Sequence, residues 1–163
     1  MLQRPKRPDN PEVVGFNQTD FMPRILLVDD DEIFRGIIHR MLTRAGYEVQ
    51  DASNGREGLD IYRRWKPDVV LTDLIMPEME GFETIMGLRK LDTKVKVIAM
   101  SGGGRIDASD YLGLAAKLGA SRTLEKPFEF KELVDALTHV LGEPPPRGLE
   151  GDSAAGAGAG AGA

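Results

Sequence analysis

Residues 24–29 read Arg-Ile-Leu-Leu-Val-Asp, a short apolar run that ends in acid. The run does not alternate with polar residues, so it fits a strand buried on both faces rather than the half-exposed strand of an antiparallel sheet. Outward from it the period changes. Phe34, Ile37, Ile38, Met41, Leu42 and Ala45 recur at helical spacing, and Gly46 stands where that helix would stop. Asp31 sits where a carboxylate caps the first free amides of a helix. The alternation then repeats. Residues 47–52, 68–73 (DVVLTD), 96–101 (KVIAMS) and 122–125 read as further strands. Between them, Leu59, Tyr62 and Trp65 mark a second helix closed by Lys66-Pro67, and Phe82, Ile85, Met86 and Leu88 mark a third. A fourth helix is expected near residues 111–118, and Phe130, Leu133, Val134, Leu137, Val140 and Leu141 stripe a last one. Five βα units of this size predict an α/β fold, a five-stranded doubly wound parallel sheet with helices on both faces.

Composition sets the boundaries. Residues 1–21 mix proline and charge with few periodic apolar positions, and are expected to be a disordered leader. Residues 22–141 carry the folded pattern. Residues 142–163 pass from Pro144-Pro145-Pro146 into alternating alanine and glycine, the composition of a solvated tail. The net charge of −5 offers no continuous basic face, which argues against nucleic acid as a partner. The chain has no cysteine, so thiolate chemistry and disulfides are excluded. No apolar run near the start is long enough for a signal peptide or a membrane span, so a cytoplasmic protein without membrane attachment is expected.

In a doubly wound sheet, function gathers at the carboxyl ends of the strands. Here the first strand delivers Asp29 and Asp30, the third Asp73, the fourth Ser101 and the fifth Lys126. Adjacent carboxylates raise one another's pKa unless a cation sits among them. All-oxygen ligands select a hard ion, and Mg²⁺ suits a site with few carboxylates and a substrate phosphate. One carboxylate can then act as a nucleophile toward phosphorus. Asp73 stands alone at the end of a central strand and is the better nucleophile, while the pair Asp29-Asp30 is better placed to hold metal. The Ser101 hydroxyl and the Lys126 ammonium can neutralise the transferred group.

The segments LLVDDDE, DVVLTDLIMPEMEGFE, VIAMSGGG and LEKPF resemble, in order and over residues 23–141, the receiver domain of bacterial two-component response regulators. The resemblance implies a flavodoxin-like fold and phosphoryl transfer to Asp73 from a sensor histidine kinase or a histidine phosphotransfer protein. It further implies metal bound by Asp29, Asp30, Asp73 and the backbone carbonyl of Ile75, with Ser101 and Lys126 closing on the phosphoryl group. The bond between Lys126 and Pro127 is typically cis in that family. Such a protein is a phosphoacceptor that also hydrolyses its own phosphoryl group, not an enzyme, and signals by binding an as yet unspecified protein target. Without an output domain in view, a single-domain regulator is expected.

The chain departs from the pattern at Thr123, where an aromatic switch residue often sits. Movement of the glycine-rich stretch Gly102-Gly103-Gly104 is then the expected signal, because glycine lacks the Cβ that restricts backbone swings. Haloacid-dehalogenase-type phosphatases use similar groups, but place the nucleophile after the first strand and an acidic pair after the lysine. Here the acidic pair Asp29-Asp30 comes first, and no acidic pair forms a strand end after Lys126. His39 and His139 read as surface or boundary residues.

Overall fold

A computed structural model describes residues 22–76, 81–102 and 108–146. Five strands, β1 (Arg24–Val28), β2 (Glu48–Ala52), β3 (Val69–Asp73), β4 (Val97–Ser101) and β5 (Arg122–Glu125), alternate with five helices. These are α1 (Glu32–Arg44), α2 (Gly55–Trp65), α3 (Gly81–Leu91), α4 (Ala108–Lys117) and α5 (Phe130–Leu141). The strands form one sheet in the order β2-β1-β3-β4-β5, and every pairing is parallel. The order reverses between β1 and β3, the switch point where a doubly wound sheet opens a crevice.

The sheet is buried on both faces, as the unbroken apolar runs require. Leu26, Val28, Val70, Val97 and Ala99 face the helices α2, α3 and α4 through Leu59, Tyr62, Ile85, Leu88 and Ala115. Their strand neighbours Ile25, Leu27, Leu71, Ile98 and Met100 face α1 and α5 through Ile38, Leu42, Leu133 and Leu137. β3 and β4 are buried along their whole length, whereas the edge strand β5 is half covered. The rim residues of the central strands are therefore fixed by packed neighbours on both sides, which limits their freedom before any ligand arrives.

Helix ends follow the sequence signals. The Asp31 carboxylate accepts the Phe34 amide at 3.0 Å and caps α1. Gly46 lies just past the last turn with φ of 90°, in the left-handed region that glycine enters without strain. Loss of the cap by Asp31→Ala should cost about 1 kcal/mol, read as a lower urea midpoint at unchanged slope. A changed slope would mean that the β1–α1 turn reorganised instead. No described helix is long and apolar enough to cross a membrane.

Candidate functional site

The site forms at the carboxyl edge, where β1, β3, β4 and β5 end together. Asp29 follows β1 directly and is fully buried. Its amide donates to the Ala52 carbonyl at 3.1 Å, so it remains tied to the sheet after the strand ends. One of its carboxylate oxygens accepts the Asp31 amide at 2.9 Å, which sets the tight turn carrying Asp30. Asp30 is exposed at the mouth. Asp73 ends β3 and is 7% exposed, and its Oδ1 accepts the Leu74 amide at 3.0 Å. Ser101 ends β4 and is fully buried. Lys126 follows β5, and its amide donates to the Ser101 carbonyl at 2.8 Å. The peptide bond between Lys126 and Pro127 is cis.

The side chains converge. Lys126 Nζ lies 2.8 Å from Asp29 Oδ2 and 3.7 Å from Asp73 Oδ1. One carboxylate oxygen each from Asp29, Asp30 and Asp73 lies within 4.8 Å of the others. Three carboxylates thus crowd together while the Lys126 ammonium pairs with two of them, Asp29 and Asp73, and burial of those two makes the imbalance costly. The Asp73 carboxyl is pushed up to about 6 by burial, and the Asp29 charge adds to that rise. Lys126 and the amides of Leu74 and Ile75 pull in the other direction without cancelling it. A close-set group of hard oxygen donors with excess negative charge fits a divalent cation, and this pocket could bind one.

The residues predicted for the site from different parts of the sequence therefore meet at one rim. Ile75 follows β3 with its side chain over a third exposed. Gly102 follows Ser101, and a Cβ there would meet the Lys126 side chain at an ordinary 3.5 Å. Gly103 and Gly104, the rest of the glycine-rich stretch whose movement is expected, fall outside the described residues. Thr123 is half-buried within β5, paired with Ala99 of β4.

Three contributors were not singled out from the sequence. Arg35, on α1, donates to the Asp29 carbonyl at 2.7 Å and pairs with Asp51 at 3.0 Å. The same Asp51 carboxylate meets His39 Nδ1 at 3.0 Å, so this boundary histidine has a defined partner. Gly81 begins α3 so close to β3 that a Cβ would lie 2.1 Å from the Asp73 carbonyl oxygen. The third is Phe34, whose ring centroid lies 4.0 Å from Lys126 Nζ. A carboxylate in β2 opposite a basic residue of α1 was visible in principle, but only once the helix was seated on that strand.

Comparison with known proteins agrees with this fold. The family model described as "Response regulator receiver domain" matches residues 25–138. The chemotaxis protein CheY of Thermotoga maritima is 39% identical over 118 residues, covering 72% of this chain and 96% of that protein. Sporulation initiation phosphotransferase F of Bacillus subtilis is 33% identical over 118 residues, covering 72% of this chain and 93% of its own. A solved receiver domain protein from Clostridium thermocellum superposes with a TM-score of 0.69 at 32% identity, covering 74% of this chain and 95% of that one. From its fold, its acidic rim and these matches, the chain belongs to the receiver domain family of two-component response regulators.

Proposed function

We propose that Asp73 is the phosphoacceptor, and that a Mg²⁺ ion bound by Asp29, Asp30, Asp73 and the Ile75 carbonyl assists the transfer. The observation that carries this reading is the crowding of three carboxylates, two of them paired with the Lys126 ammonium, with Asp73 held at the end of a fully buried central strand. A carboxylate oxygen of Asp73 attacks phosphorus as the bond to the donor's histidine nitrogen breaks, and the departing imidazole takes up a proton. Lys126, already 3.7 Å from Asp73, turns to the new phosphoryl oxygens, and the Ser101 hydroxyl donates to them. Mg²⁺, when bound, supplies positive charge against the same oxygens. Attack by water later releases inorganic phosphate and restores the carboxylate. The donor is a sensor histidine kinase or a histidine phosphotransfer protein, in keeping with the relatives named as a chemotaxis protein and a sporulation phosphotransferase. The output is binding to a protein target.

Incubated with phosphoramidate and MgCl₂, the protein should gain the mass of one phosphoryl group, and Asp73→Asn should gain none. Equal labelling of the variant would move the acceptor elsewhere.

Metal binding should also be linked to protons. Asp73 holds its proton more tightly in the folded chain, with a pKa near 6 against 3.8 for the free side chain. Its contribution to stability is therefore full below about pH 4 and is lost as pH rises to about 6. A bound cation relieves the penalty only where Asp73 is ionised. The rise in melting temperature on adding MgCl₂ should thus be larger above about pH 6 than below about pH 5. A pH-independent rise would place the ion away from Asp73.

A further inference from the structure

Lys126 has a third neighbour besides its two carboxylates. The Phe34 ring centroid lies 4.0 Å from Nζ, close enough for the ring's negative face to attract the ammonium. Phe34 itself is held by Phe128, with centroids 5.9 Å apart and planes at 86°, the edge-to-face contact that aromatic quadrupoles favour. Both rings are half-buried. One belongs to the first turn of α1 and the other follows Lys126 by two residues, so the pair bridges the two segments that carry Asp29 and Lys126.

We propose that Phe34 is a positioning residue for phosphoryl transfer: its ring, braced by Phe128, holds the Lys126 ammonium over the Asp29 and Asp73 carboxylates. The proposal rests on Asp73 being the acceptor. Lysine carries its charge on a flexible four-carbon stem, and here the side chain retains 19% exposure, so water competes for the ammonium. A further carboxylate in place of the ring would bind the ammonium through directed hydrogen bonds and hold it back from an arriving phosphoryl group. A π face attracts the charge without accepting such a strong directed bond, so Nζ can turn from Asp29 toward Asp73 while staying in place. An ammonium already confined near the reacting oxygen needs less reorganisation during transfer. In the sequence Phe34 is merely one position of an apolar helical stripe. The structure gives the ring a polar partner.

Graded ring fluorination tests this, since it weakens the quadrupole while nearly preserving shape. Phenylalanines with one, two and three fluorines would be placed at position 34 of the full chain, with Phe34→Leu as a ringless reference. Labelling by phosphoramidate with saturating MgCl₂ should slow step by step, by about three- to thirtyfold overall, with Phe34→Leu at or below the slowest ring. A second readout needs neither metal nor donor. Fluorination should lower the melting temperature of the metal-free protein, and should lower it less in a Lys126→Met background, because only the first contains the coupled pair. A flat labelling series, or equal melting losses in both backgrounds, would overturn the proposal and leave Phe34 a packing residue. Failure of the unmodified chain to take any label would instead defeat the Asp73 reading, and this proposal with it.

Discussion

Gly81→Ala should destabilise the protein by about 3 kcal/mol or more, the upper end of what overpacking costs. A Cβ at this position would lie 2.1 Å from the Asp73 carbonyl oxygen and 2.5 Å from the Leu74 Cα. Both obstacles are backbone, and neither can swing aside as a side-chain tip would. Asp73 belongs to a strand paired on both sides, by β1 and β4, so the strand cannot yield cheaply. The start of α3 must retreat, which breaks the bond from the Gly81 amide to the Leu74 carbonyl at 3.0 Å. Because the Leu74 amide also donates to the Asp73 carboxylate, displacement of Leu74 should lower Mg²⁺ affinity along with stability. Denaturant unfolding with and without MgCl₂ measures both. A loss below about 1 kcal/mol would mean that α3 is free to slide.

Lys126→Met should cost a similar amount for a different reason. It removes the close cation from Asp29, which is fully buried, and breaking one side of such a pair typically costs about 3–5 kcal/mol. Here about 3 kcal/mol is expected, because the lysine keeps some contact with water. Mg²⁺ should restore most of the loss, since a second cation can answer the same oxygens. The two variants separate cleanly: Gly81→Ala disturbs the backbone and resists rescue, whereas Lys126→Met disturbs only charge and accepts it. If saturating MgCl₂ leaves Lys126→Met as weak as without it, the ion and the ammonium do not share a site.

Much of this architecture was legible because its signals are local. Unbroken apolar runs marked the three central strands β1, β3 and β4, and the polar residue at the end of each marked the functional rim. Strand starts differ by one residue at positions 47, 68 and 96, where the sequence offered an apolar or charged lead-in that lies just before the regular ladder. α4 begins earlier than expected, at Ala108, because its first turn carries no apolar period to announce it. What could not be read were contacts made only by packing. Arg35 reaches the Asp29 carbonyl and Asp51 only because α1 lies against the sheet beside β2. Phe34 meets Lys126 from the opposite part of the chain. The constraint on Gly81 is likewise one of packing, the close approach of α3 to the strand that bears Asp73.

The same distinction separates composition from chemistry at the acidic rim. Residue types alone suggested a metal and a nucleophile, but not which carboxylate carries the strain. Burial decides it: Asp30 sits in water, Asp29 is matched by Lys126 at 2.8 Å, and Asp73 is left with the longer 3.7 Å contact and a raised pKa. The least compensated group is the one proposed to take the phosphoryl group.

The most direct test is to trap the acyl phosphate and locate it. Protein labelled with phosphoramidate and MgCl₂ is reduced with borohydride, which converts an aspartyl phosphate to homoserine, and is then digested and sequenced by tandem mass spectrometry. Homoserine at position 73 alone is the expected result. Homoserine at position 29 or 30, or a label that survives reduction unchanged, would contradict the assignment of Asp73 as the phosphoacceptor.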